Sequence, residues 1–236
     1  MIKNVMFDLD GTLLPFDLET FMKFYLGSLS KDVMHLGYEP KELINNILKG
    51  TYLMIKNDGS KTNKEVFWNF FESVYGKKVY EDEKYFDRYY ETTFIEGKKI
   101  CNINPKAVEV IKTCKELGFN ITLATNPIFP KVATYERLSW TGIDKDNFNL
   151  ITTYENSRYS KPNLNYFKDI MNKLNYKADE TLMVGNDVSE DMVVKDIGVS
   201  TFLLTDCLIN SKNLDYSKYN QGNMDDLINF LKGLNK

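Results

Sequence analysis

Two aspartates one residue apart, Asp8 and Asp10, close the apolar run "VMFDLDGTLL" at positions 5–14. Burying an unpaired carboxylate is costly enough to neutralise the group unless a cation or hydrogen-bond donors compensate. A strand running into a D-G turn produces the same residues without any chemistry. What the rest of the chain brings to meet these acids therefore decides their meaning.

In a parallel sheet, ligands lie at the carboxyl ends of the strands. Thr125 and Asn126 follow "FNITLA", and Lys161-Pro162 lies in "SRYSKPN" beyond a third apolar run. "NDVSED" follows "TLMVG" and sets Asp187 and Asp191 four residues apart. Asp8, Asp10, Asp187 and Asp191 together would gather four negative charges, and two unit charges at 4 Å interact by about 4 kcal/mol at an effective dielectric of 20. Such a cluster needs a proton, a cation or both. Oxygen ligands without histidine or thiol select a hard cation, and Mg²⁺ is the usual one beside phosphate. Lys161, the Thr125 hydroxyl and the Asn126 amide suit phosphate oxygens. A carboxylate attacking phosphorus is an established form of covalent catalysis.

The elements that must position these groups alternate. Residues 1–15 and about 100–236 read as strands and helices in turn, the pattern of a parallel α/β sheet. The strands are "IKNVMFD", "FNITLAT", "FNLITTY", "ETLMVGN" and "VSTFLLT". One helix covers 105–117, with Asn104 as N-cap, Pro105 in the first turn and Gly118 past its end. Another, over 164–174, carries Leu164, Phe167, Ile170, Met171 and Leu174 at helical spacing. A third runs from after Ser189 to Gly198.

Residues 16–96 carry helical stripes instead. Leu18, Phe21, Met22, Tyr25 and Leu29 share one face, as do Phe67, Phe70, Phe71 and Val74. "TNKE" at 62–65 is a capping box. Tyr85, Phe86, Tyr89, Tyr90 and Phe94 form an aromatic stripe on a fourth helix, best read as bundle core. Gly11 lets the chain leave its strand sharply, and Pro15 stiffens the path onward.

"DLDGT" at 8–12, "ATN" at 124–126, Lys161-Pro162 and "GNDVSED" at 185–191 resemble, in order and spacing, the four motifs of the haloacid dehalogenase-like hydrolase superfamily. The resemblance spans the chain, because that family also places a helical cap between its first two motifs. It implies a Rossmann-like α/β core of residues 1–15 and 97–236, with helices on both sheet faces, and an all-helical cap of residues 16–96. It also implies that Asp8 is the nucleophile and Asp10 the general acid and base. Mg²⁺ would be held by the Asp8 carboxylate, the Asp10 backbone carbonyl and Asp187. Thr125, Asn126 and Lys161 would take the phosphoryl oxygens, with Asp191 acting through water or by orienting Lys161. The dehalogenases lack the second aspartate, so Asp10 points to phosphate chemistry.

Composition excludes other classes. The 236 residues carry a net charge of −3 and no basic cluster, against a nucleic-acid binder. The single histidine, His35, reads as a surface residue and cannot build a histidine-based zinc site. There is no GxxxxGK[ST] and no GxGxxG. Three scattered cysteines, Cys101, Cys114 and Cys207, read as reduced and buried thiols. No run approaches the roughly 20 apolar residues of a membrane helix, and no signal peptide is evident. The expectation is a cytoplasmic Mg²⁺-dependent phosphatase of a small phosphorylated metabolite, monomeric by default. A phosphosugar mutase of the same superfamily, or a non-catalytic binding protein that kept the fold, are the alternatives.

Overall fold

The computed structural model describes residues 1–234. Among them, β1 (Asn4–Phe7), β2 (Asn120–Leu123), β3 (Leu150–Ile151), β4 (Thr181–Gly185), β5 (Ser200–Leu204) and β6 (Asn220–Gly222) form one sheet. Its order is β3-β2-β1-β4-β5-β6 and every pairing is parallel. The chain builds outward from β1 to one edge, then returns to β4 and builds the other. The switch point lies between β1 and β4, where a doubly wound sheet opens its crevice.

Strand alternation explains how both faces are covered. Val5, Phe7, Leu182 and Val184 share an apolar cluster with α5 (Pro105–Glu116) and α8 (Met224–Gly233). Met6 and Met183, one residue out of phase, join Tyr166, Phe167, Ile170 and Met171 of α7 (Leu164–Leu174). A buried parallel sheet has this double cover because its crossovers lay helices on each side.

Between β1 and β2 the chain forms α1 (Leu18–Asp32), α2 (Pro40–Ile55), α3 (Asn63–Tyr75) and α4 (Val79–Glu91). Thr62 and Glu65 close the expected capping box at the start of α3. Phe86, Tyr89, Tyr90 and Phe94 are buried, so four of the five rings of the aromatic stripe are core. The stripe is shared between two elements, for α4 stops at Glu91 and Phe94 lies in the 3₁₀ segment Thr93–Ile100. Tyr85 is half-buried, and Leu18 and Val74 are exposed. The segment's two ends meet at an antiparallel bridge between Phe16 and Cys101.

The helical layer is seated on the sheet domain by polar and aromatic contacts. Asn63, fully buried, donates to the Pro127 carbonyl (2.9 Å) and the Ser160 hydroxyl (3.0 Å). Trp68 Nε1 donates to the Tyr154 hydroxyl at 3.2 Å. The Tyr25 and Phe129 ring centroids are 5.2 Å apart.

Several boundaries differ from the sequence reading. β3 is two residues long: Thr152 N still donates to the Leu123 carbonyl (3.0 Å), but Thr153 N turns to Asn156 Oδ1 (2.9 Å). The helix expected after Ser189 is a 3₁₀ segment, Met192–Ile197, ended by Gly198 at φ 87°. A run this short is of the length at which 3₁₀ winding occurs. The expectation of three buried cysteines holds for Cys114 alone; Cys101 and Cys207 are half-buried. His35 is exposed, as expected. The sequence reading did not identify β6, α8 or α6 (Lys131–Trp140). No helix among the described residues is long and apolar enough to cross a membrane.

Candidate active site

Asp8 and Asp10 leave the end of β1 beside β4, and the sequence-distant groups converge on them. Asp8, Asp10, Thr125, Asn126, Asp187 and Asp191 line one cavity of about 410 Å³. Its far wall is apolar and comes from the helical layer: Leu18, Phe21, Met22 and Ile55.

Lys161 is 1% exposed and lies between two carboxylates. Its Nζ donates to Asp8 Oδ1 at 2.8 Å and to Asp191 Oδ1 at 2.6 Å. Burial alone would strip its proton, but the Asp191 and Asp8 charges outweigh burial and hold it above the ordinary lysine range. Burial raises the Asp8 carboxyl, Lys161 draws it back down and Asp10 lifts it again. Asp191 also accepts from Asp187 N through Oδ2 at 3.0 Å. Gly185 makes room for it: a Cβ there would sit 2.2 Å from Asp191 Oδ2.

The loops are stiffly built. Gly11 has φ 83°, and a Cβ on it would lie 2.3 Å from Asn186 Nδ2. That asparagine accepts from the Thr12 hydroxyl (3.0 Å) and donates to the Cys207 carbonyl (2.7 Å), tying the loop after β1 to those after β4 and β5. The Thr125 carbonyl accepts from the Thr152 and Tyr166 hydroxyls, each at 2.8 Å. Asn126 accepts from Lys161 N at 3.2 Å and donates to Glu190 Oε2 at 3.0 Å, so its amide joins three loops. Asp187 Oδ1 accepts from Ser189 N, Ser189 Oγ and Glu190 N, closing the turn after β4.

All the residues singled out from sequence are therefore brought together. Two further charged residues line the same cavity and were missed: Glu190 and Arg137. Burial pushes the Glu190 carboxyl up to about 7; Lys161 opposes the rise, and Asp191, Asp187 and Asp8 add to it. Arg137 Nε lies 3.5 Å from Asp10 Oδ1. Burial raises the Asp10 carboxyl while Arg137 and then Lys161 pull it down. Five acids against two cations leave an excess of negative charge in one crevice. Among the described residues no three His, Cys, Asp or Glu side chains cluster as a metal site. The cavity offers carboxylate, amide and hydroxyl oxygens without histidine or thiol, a donor set that suits a hard divalent cation.

The chain matches the haloacid dehalogenase-like hydrolase family over residues 2–193. It is 26% identical over 245 residues to the glyceraldehyde 3-phosphate phosphatase of Methanocaldococcus jannaschii, covering 100% of both chains. It is 26% identical over 204 residues to a phosphoglycolate phosphatase of Vibrio vulnificus, covering 86% of this chain and 84% of that one. The crystal structure of a HAD phosphatase from Thermococcus onnurineus superposes with a TM-score of 0.60 at 20% identity, covering 98% of this chain and 99% of that one. With the four motif segments assembled at one switch point and the family matched across most of its length, the chain belongs to the haloacid dehalogenase-like hydrolases.

Proposed function

We propose that the protein is a Mg²⁺-dependent phosphomonoester hydrolase that works through an aspartyl-phosphate on Asp8. The observation that carries this reading is the buried Asp8–Lys161–Asp191 array beside Asp10, with Thr125 on the same cavity. Asp8 attacks phosphorus and takes the phosphoryl group as the ester bond breaks. Asp10 gives its proton to the departing alcohol oxygen, then takes one from the water that hydrolyses the aspartyl-phosphate. Lys161 offsets the charge on the phosphoryl oxygens, and Thr125 and Asn126 offer them hydrogen-bond donors. These contacts matter most as charge redistributes in the transition state. Asp8, the Asp10 backbone carbonyl and Asp187 would hold the Mg²⁺. When bound, the ion supplies positive charge to the phosphoryl oxygens.

Residues 16–96 act as a cap that closes over the site and excludes water, a reading supported by the apolar wall they give the cavity. The substrate is a small phosphorylated metabolite, the class to which the substrates in the two relatives' names belong. Incubating the protein and Asp8→Asn with a panel of phosphate monoesters and Mg²⁺ tests the proposal. Free phosphate from the parent and none from the variant is expected. Isomerised sugar phosphate without release would make the protein a mutase, and identical behaviour of parent and variant would make it a non-catalytic binder.

A further inference from the structure

Arg137 is fully buried, and none of its three guanidinium nitrogens has a hydrogen-bond partner. The same holds for Asp10 Oδ1, which faces its Nε at 3.5 Å. That separation is an ion pair, too long for a directional hydrogen bond. The guanidinium carbon sits over the Phe129 ring, 4.0 Å from its centroid. Buried polar atoms without partners are rare in folded proteins and call for a reason. Here the two orphans are opposite in charge and adjacent. The Asp10 side chain is not sealed with them: it is 27% exposed and opens into the cavity. Its carboxylate is therefore split, with one oxygen turned inward to α6 and the rest of the group facing the cavity.

We propose that Arg137 is a positioning residue that acts through Asp10. It anchors Oδ1 on the α6 side and so presents Oδ2 to the oxygen of the leaving alcohol. Arg137 itself touches neither the phosphoryl group nor the alcohol. This inference rests on the reading of Asp10 as general acid, so its test must separate the two.

Leaving-group dependence does so. Nitrophenolate departs without protonation, whereas an alkoxide needs the proton of Asp10. We would measure kcat and KM of the parent, Arg137→Met, Arg137→Lys and Asp10→Asn with Mg²⁺, on p-nitrophenyl phosphate and on glycerol phosphate. The ratio between the two substrates, taken on one sample, is independent of how much of a variant is folded. Asp10→Asn should lose about 10²-fold or more on the alkyl ester relative to the aryl ester, the scale of general acid catalysis. Arg137→Met should show a smaller selectivity in the same direction, with kcat on glycerol phosphate falling about tenfold more than on the aryl ester. Arg137→Lys should recover part of it, since it returns the charge without the fork. Equal losses on both substrates for Arg137→Met would overturn the inference and leave Arg137 a structural residue. A raised KM at unchanged kcat would overturn it too, because Arg137 would then contact substrate. If Asp10→Asn shows no selectivity, the acid role of Asp10 fails, and the inference falls with it.

Discussion

Replacing Lys161 by methionine removes the cation from between two buried carboxylates and keeps the volume. The ammonium lies 2.8 Å from Asp8 Oδ1 and 2.6 Å from Asp191 Oδ1. Charges at such separations attract by about 6 kcal/mol at an effective dielectric of 20. Most of that is offset in the native protein by the cost of desolvating three ions, and breaking a buried pair costs about 3–5 kcal/mol net. The variant should lose that much stability at pH 7.5. It should also acquire a pH dependence of known sign. Without the lysine, burial and mutual repulsion raise both carboxyls above their unfolded values. A group raised on folding contributes most below its unfolded pKa and loses that contribution as pH climbs through the folded one. Binding one proton between pH 7.5 and 5.5 returns at most about 2.7 kcal/mol, at 1.36 kcal/mol per unit. Urea unfolding of parent and variant at the two pH values, without Mg²⁺, measures this directly. A deficit that does not change with pH, or a variant as stable as the parent at pH 7.5, would refute the charge balance described for the site. In the same variant kcat should fall by about 10²–10³, the loss typical of one transition-state charge partner.

Three other outcomes follow from the geometry. Asn63→Ala leaves the Pro127 carbonyl and the Ser160 hydroxyl without their donor and should cost about 1–3 kcal/mol, read by thermal or urea unfolding. Gly11→Ala places a Cβ against Asn186 at a left-handed φ, so it should destabilise by about 1 kcal/mol or more and lower phosphate release. Glu65→Gln removes a carboxyl that backbone and side-chain hydrogen bonds from Thr62 hold below the usual glutamate range. Its stabilising effect is present above the unfolded pKa and fades as pH falls through the folded one, so acid-unfolding curves of parent and variant should converge at low pH.

The catalytic frame was legible because its parts are local in sequence. A strand-end pair of acids, a capped helix at Asn104 and the α7 stripe each declare themselves within a dozen residues. The capping box at Asn223 and Asp226, which opens α8, carries an equally local signal that the sequence reading passed over. Arg137 carries none. It reads as an ordinary last-turn cation of α6, and its burial beside Asp10 and Phe129 comes from tertiary packing. Glu190 is hidden in the same way, since its environment depends on Asn126, 64 residues away. The short β3 was unreadable because Thr152 and Thr153 have strand propensity, whereas the side chain of Asn156 captures the Thr153 amide and takes it out of the ladder.

The seam at Asn63 constrains how such proteins can be recombined. The first residue of α3 is bonded to Ser160, whose neighbour in sequence is Lys161, and five residues later Trp68 is bonded to Tyr154. A chimera that imports another protein's helices at residues 16–96 but keeps this chain's 154–160 segment would present mismatched halves of that joint. Grafts that carry both pieces together should express as intact enzymes, while grafts of the helices alone should disturb the lysine they never touch.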